Sequence, residues 1–523
     1  MRLQRYRNCN SYSMNLLSSP KIKRMQKRLL LGALIMFSTI SFGQWEQVGQ
    51  EIFGENQSDL TGSSTAMNKS GNRVAVYDSF HNGTQIGRIR VFDLENGQWE
   101  QVGNDITALV GDGQSDGRVV LNGDGSRVVL AGASHNIHGD YTGAVRVFEL
   151  HSENWVQLGT TLFGEAAGDL FGTDVAINEA GDILICGAPQ AAGPFSNKGY
   201  TEIYKFQNGN WQKIGQRIIG LNEDDELGQS VSINSIGTLI AIAAPSNDSM
   251  GEDFGQVSIY ELVDNSWVQK GNPINGEYVG NAIGINGLGG SAIDFNFDGS
   301  KIAIGSIAGN TNGNPHKVRI FNFQGNDWTQ IGNSIVGTSE NGWFGQSVEL
   351  NKSGDIVIVG DPFEDDAIQG AVRVYRLLGN SWVQQGNTLQ LPSDGTGIAF
   401  GWCTAINDLG NRIAVGAPLR QVNSQSLGSV TIYQNDAVLN TLEPVASQFK
   451  LYPNPNNGVF NIDFTDAQEL VTVNIIDLLG KQVVKIEYFN TKKVEVNENL
   501  KAGVYLVEIS AANTSETIRI VVE

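Results

Sequence analysis

Residues Phe171 to Gly215 read FGTDVAINEAGDILICGAPQAAGPFSNKGYTEIYKFQNGNWQKIG, and the region from Trp45 to Gln434 is built of variations on that unit. Four runs inside it have strand character: Phe171 to Asn178, Ile183 to Ala188, Tyr200 to Phe206 and Trp211 to Gly215. Each is rich in β-branched or aromatic residues and is parted from the next by Gly, Pro, Asn or Ser. One unit is therefore predicted to be a four-stranded meander.

The repeat can be followed position by position. Trp recurs at 45, 99, 155, 211, 267, 328 and 382, each followed four residues later by Gly. The first strand ends in Asn at 68, 122, 178, 234, 296, 351 and 407, each with Gly three residues on. The third strand carries Phe92, Phe148, Tyr204, Tyr260, Phe321, Tyr375 and Tyr433 at one fixed place. A period of about 55 residues with four strands and no helical periodicity predicts an all-β propeller. The first Trp strand, Trp45 to Val48, precedes any first strand, and the last unit stops after its third strand at Tyr433. If these two pair, the ring closes with parts from both ends and has seven blades, with no free sheet edge at the join.

The Asn-x-x-Gly turns are structural: the Asn side chain caps a tight turn and Gly supplies positive φ. The second strands, such as Leu239 to Pro245 and Ile356 to Pro362, are almost unbroken apolar runs, which predicts cover on both faces. The third strands alternate, as in Val145, Arg146, Val147.

Residues 1–43 hold eight Lys or Arg and no acid. From Met25 they show two basic residues, a short apolar run from Leu29 to Phe37, then small residues before Gln44, the layout of a secretory signal peptide whose true start is Met25. The apolar run is too short to span a bilayer, so no transmembrane segment is expected in the mature chain. Removal of the leader leaves 27 basic residues against 55 acids, a net charge of −28. Such a surface repels nucleic acid and anionic lipid. Cys186 and Cys403 remain, in apolar contexts of different repeats; buried free thiols are expected, with a single disulfide or a catalytic thiol as the alternatives.

The units resemble FG-GAP repeats, the family of the integrin α-subunit propeller. The resemblance rests on Phe171-Gly172 with Gly187-Ala188-Pro189, Phe344-Gly345 with Gly360-Asp361-Pro362, Phe400-Gly401 with Gly416-Ala417-Pro418, and weaker copies across 45–434. It implies a calcium loop between the first two strands of some units. Only Asp294, Asn296 and Asp298 approach that pattern, and Ile302 stands where a further acid belongs. These three are a candidate metal site, with an ordinary turn as the alternative; calcium is the one cofactor in view.

The loops expected on the ligand-binding face are long and acidic. Glu223, Asp224, Asp225 and Glu226 form one cluster, Asp248, Glu252 and Asp253 a second, and Glu364, Asp365 and Asp366 a third. Loops on rigid scaffolds commonly carry function, although acids also keep an exported protein soluble. His135 and His138 could combine with Asp140 as a metal or acid–base site, or simply sit in a solvated loop. No metalloprotease helix or phosphate loop occurs.

Beyond Gln434 the repeat stops. Residues 435–448 read as a linker, and 449–523 as a small antiparallel Ig-like sandwich. This tail resembles the C-terminal sorting domain of type IX secretion substrates, on Tyr452-Pro453-Asn454-Pro455, the D-x-x-G-K of Asp477 to Lys481, and Gly503-Val504-Tyr505. That resemblance implies handling by the type IX secretion machinery and an address that is secreted or on the outer-membrane cell surface. Two functions follow. The first is a secreted or surface-anchored propeller acting as a binding or adhesion module for an extracellular protein or glycan through its acidic loop face. The second is an extracellular polysaccharide- or peptide-degrading enzyme with acids at the channel mouth.

Overall fold

The computed structural model describes residues 44–436 and 449–522, apart from short stretches at 82–83, 85, 109–116, 137–139, 191–196, 286–289, 308–314, 340–341, 365–368, 393–397, 454, 457, 478–481, 499 and 512–513. The leader, most of the linker, His138, Asp365 and Asp366 lie outside the described residues. The chain is all-β and propeller-like, and it divides into two compact units at Ala437/Val438.

In the quoted unit the strands are Val175–Ile177, Ile183–Ala188, Tyr200–Gln207 and Asn210–Lys213, hydrogen-bonded in that order. Among the described residues seven sheets repeat this order, numbered 1 to 7 by their first strands: Thr61–Met67, Gly117–Leu121, Val175–Ile177, Val231–Ile233, Ile293–Phe295, Val348–Leu350 and Thr404–Ile406. In sheet 3 a two-residue strand, Ile218–Ile219, also pairs with the start of the third strand, an addition the sequence pattern did not announce. Sheet 7 takes its outer strand from the other end of the unit: Glu46 faces Gln434, Gln47 faces Tyr433, and Ile52 faces Val430.

Two girdles of hydrogen bonds run through all seven sheets. On the inside, the residue after each strand-ending Asn donates its N–H to the matching carbonyl of the next sheet. The bonds pass from Lys69 to Gly123, Glu179, Ser235, Phe297, Lys352 and Asp408, and from Asp408 back to Lys69, at 2.9–3.3 Å. On the outside, every repeat Trp donates Nε1–H to a carbonyl of the preceding sheet at 2.8–3.1 Å, Trp45 to Gln385 and Trp99 to Val48 among them. The Trp-to-Gly spacing follows from this contact: a Cβ on Gly215 would lie 2.5 Å from Cδ1 of Trp267. The Phe-Gly and Gly-Ala-Pro pieces also meet across sheets, since a Cβ on Gly187 would lie 2.0 Å from the Gly228 carbonyl oxygen. Each sheet therefore locks to its neighbours, as modules of a repeat protein must.

Every residue of Ile183–Ala188 is buried, as a strand covered on both faces requires. The third strands depart from the expected alternation, because their first five residues are buried in the quoted unit and in sheets 1 and 2. Polar residues there are held by ion pairs and hydrogen bonds instead of facing water. Arg88, for instance, pairs with Asp78 at 2.7 Å and Asp105 at 2.8 Å.

The second unit has five strands in one hydrogen-bonded sheet: Phe449–Tyr452, Val459–Asp477, Gln482–Asn497, Gly503–Ala511 and Thr514–Val522. Pairing of its two longest strands shifts register between Asp463 and Gln468. Residues from both sides of that break, Phe460 and Ile462 with Val473 and Val507, fill one core.

Candidate functional site

The first two acidic clusters are brought together on sheet 4. Asn247 Nδ2 donates to Asp225 at 3.1 Å and Ser246 Oγ donates to Glu226 at 3.4 Å, which fastens the two loops side by side. Glu223, Asp224, Asp248, Glu252 and Asp253 remain exposed. Burial, together with the charges of Asp224 and Asp253, raises the carboxyl of Glu226 above its ordinary range.

Asp225 differs from its neighbours. It is buried and accepts the N–H of Asn222 at 2.8 Å within its own loop. Asp59 and Asp169 make the same bonds to residues three and four before them, and all three lie five residues after a Gly (54, 164, 220). This carboxylate holds the shape of a repeated loop. Glu364, on sheet 6, is engaged as well: Arg373 and Thr338 donate to Oε1 and Gln390 to Oε2.

Asn296 Nδ2 donates to Asp298 at 2.9 Å, but Asp294 does not join them. The first strand of sheet 5 includes Asp294 and ends at Phe295, so Asp294 faces the space enclosed by the first strands. Asn296 and Asp298 are absorbed in their turn, where Asp298 accepts from Ser300 N–H at 2.9 Å and Asn296 from Lys301 N–H at 2.8 Å. Among the described residues no three His, Cys, Asp or Glu are grouped to hold a metal. His135 is buried, with its ring 5.4 Å from that of Phe163. Cys186 and Cys403 are buried free thiols, and burial pushes Cys403 up to about 12 and Cys186 well above its ordinary value. Neither is a thiolate at neutral pH.

The enclosed space holds two cavities of about 210 Å³ and 100 Å³, both of which reach Asp294 and Glu349. Each of these carboxylates bridges to the next sheet: Asp294 accepts from Leu350 N–H and Glu349 from Ile406 N–H, both at 2.9 Å. Nearby, Asp174 is fully buried between the Arg118 guanidinium at 2.7 Å, Val231 N–H and the Ser291 hydroxyl. One end of the space is covered by Phe297, whose ring centroid lies 3.9 Å from Lys69 Nζ and 4.1 Å from Lys352 Nζ. Lys69 is three sheets away from Phe297 around the ring, so that contact spans the opening.

Burial raises Asp294 to about 7, with Asp174 adding to the effect, and raises Glu349 well above its ordinary value, with Asp294 adding. A carboxyl raised on folding stabilises the protein fully below the unfolded value and loses that contribution as pH climbs through the folded one. The melting temperature is therefore expected to fall by a few degrees between pH 6 and pH 8.5, and Asp294→Asn to flatten that slope. Melting curves across this range check it, and parallel slopes for the two proteins would refute it.

A feature missed in the sequence lies at another part of the loop ends. Trp343 and Trp402, the two Trp outside the repeat pattern, flank Phe363 in T-shaped contacts with centroids 5.0 Å and 5.9 Å apart. Beside them an apolar pocket of about 240 Å³ is lined by Leu60, Phe363, Trp402, Pro418 and Leu419, with Ser63 and Ser79. The signal was available: seven of nine Trp were explained by the repeat, and two were not.

Residues 450–523 match the model of the secretion system C-terminal sorting domain family. This chain is thus a type IX secretion substrate, secreted or attached to the cell surface. No curated protein matches the chain. Among solved structures it is similar to an oligogalacturonate lyase in complex with manganese, at 11% identity and TM-score 0.44 over 76% of this chain and 100% of that one. It is also similar to the Pyrococcus horikoshii acylaminoacyl peptidase, at 10% identity and TM-score 0.41 over 79% of this chain and 58% of that one. At such scores the likeness says nothing of activity or ligand. No helix among the described residues is long and apolar enough to cross a membrane.

Proposed function

We propose that residues 44–434 form a seven-bladed, FG-GAP-like propeller that works outside the cell as a binding module, gripping a partner polypeptide of basic surface through its loop face. A signal peptide over 1–43 and an Ig-like sorting domain over 449–523, joined by a linker at 435–448, complete the arrangement. The observation that carries this reading is the fastening of two acidic loops on sheet 4, which presents five exposed carboxylates together. Charge of one sign on a rigid patch steers and selects an oppositely charged partner. The mature charge of −28 acts in the same direction.

The test uses the mature chain and an array of lysine-rich and neutral peptides. Binding is expected for the basic peptides, falling as salt rises, and roughly tenfold weaker for a variant carrying Glu223→Gln, Asp224→Asn, Glu252→Gln and Asp253→Asn. All four side chains are exposed, so the fold should not suffer. Equal binding of basic and neutral peptides, or an unaffected variant, would sink the reading.

A further inference from the structure

We propose that the pocket beside Phe363 and Trp402 is an anchor site that receives one apolar side chain of the partner polypeptide. This rests on the binding-module reading and adds the chemistry of the contact. The pocket is made chiefly of loop ends: Leu60 enters the first strand of sheet 1, Trp402 enters that of sheet 7, and Phe363, Pro418 and Leu419 follow second strands, with Ser63 inside the strand Thr61–Met67. It therefore opens on the same face as the acidic loops, where strands leave their sheets.

Its walls decide the class of occupant. Five of the seven lining residues are apolar. The Ser79 hydroxyl donates to Ser63 Oγ at 2.7 Å, and Ser63 donates onward to the Leu60 carbonyl at 2.5 Å. With the serines so engaged, a sugar entering the pocket would give up hydrogen bonds to water and regain few, a loss that a polar ligand cannot absorb. A hydrocarbon or aromatic side chain gives up no hydrogen bonds there and gains area against Trp402 and Phe363. The volume, about 240 Å³, lies below that of pockets for drug-sized ligands and has room for a single large side chain.

Two further details fit an anchor. Leu419 is 37% exposed and Trp343 38%, so apolar surface continues outward from the pocket. Charged groups next to the lining residues are already paired, Glu364 with Arg373, Arg420 with Glu51 and Asp78 with Arg88. The rim is thus polar and the centre apolar, the arrangement in which a few buried aromatic contacts dominate binding. The net charge of the chain selects a basic segment around the anchor.

The experiment uses the mature chain and three probes, Lys-Lys-X-Lys-Lys with Gly, Leu or Phe at the centre, measured by calorimetry and by intrinsic tryptophan fluorescence. The Leu and Phe peptides are expected to bind at least about tenfold tighter than the Gly peptide, with a fluorescence change that the Gly peptide does not cause. Leu419→Asp, a change at an exposed position, should erase that preference without altering the melting temperature, and Trp402→Ala should erase both preference and fluorescence change. Equal affinity of all three peptides would overturn the anchor site while salt-dependent binding kept the acidic-face reading alive. A preserved preference for Leu and Phe with no salt dependence would support the pocket and strike the acidic face instead.

Discussion

Trp211→Ala is expected to lower the unfolding free energy by about 3–5 kcal/mol, the range for deleting a buried aromatic side chain. The indole is 5% exposed, packs beside Phe206 with centroids 5.3 Å apart, and bonds Leu158 of the preceding sheet at 2.9 Å. Truncation opens a cavity, strands the Leu158 carbonyl, and uncovers Gly159, over which the ring lies. Collapse around the gap is hindered because sheets 2 and 3 are held apart by both girdles. Chemical denaturation of the mature chain checks the figure. Trp343→Ala serves as the contrast, since that ring is partly exposed and belongs to no girdle, and its cost should stay under about 1 kcal/mol. Equal losses at the two positions would mean that the repeat Trp is not an inter-sheet lock.

The parts of this fold that were legible in the sequence are those in which side-chain chemistry repeats. Trp and Gly four residues apart, and Asn and Gly three apart, each mark a contact that tolerates few residue types, so seven copies survive in recognisable form. The inner girdle left no such trace. Its bonds are all backbone, and the residues supplying them are as unlike as Lys69, Gly123, Phe297 and Asp408. Burial of the third strands was hidden as well: Arg146 between Val145 and Val147 fits a solvent-facing period of two, yet it is buried.

The candidate site was legible only in part. Acidic loops stand out by composition, but composition cannot separate Asp224, which faces water, from Asp225, which caps its own loop. The spacing from Gly220 to Asp225, shared with Gly54 to Asp59 and Gly164 to Asp169, carried that distinction. Asp294, Asn296 and Asp298 look like one unit in a string of letters. They straddle the end of a strand, where the period of two sends Asp294 inward and leaves the others in the turn. Trp343 and Trp402 are far apart in sequence and come together only because neighbouring sheets bring their loop ends to one place.

The other large effect concerns closure. Removing residues 44–53 takes away Trp45, which is 5% exposed, both pairs with Tyr433 and Gln434, the bond from Val48 N–H to Ile432, and the carbonyl that receives Trp99. It also strips the outer edge of sheet 7 and breaks the outer girdle on both sides of it. The summed loss is on the order of 5 kcal/mol or more, comparable with the whole stability of an ordinary domain. The central claim, that both ends of the repeat region share one sheet, is tested most directly by melting this shortened chain alone and with a synthetic peptide of residues 44–53. The account predicts a melting temperature at least 10 °C below that of the mature chain, recovered in part as saturating peptide rebinds the Ser429–Gln434 strand. An unchanged melting temperature, or a lowered one that the peptide leaves where it is, would contradict it.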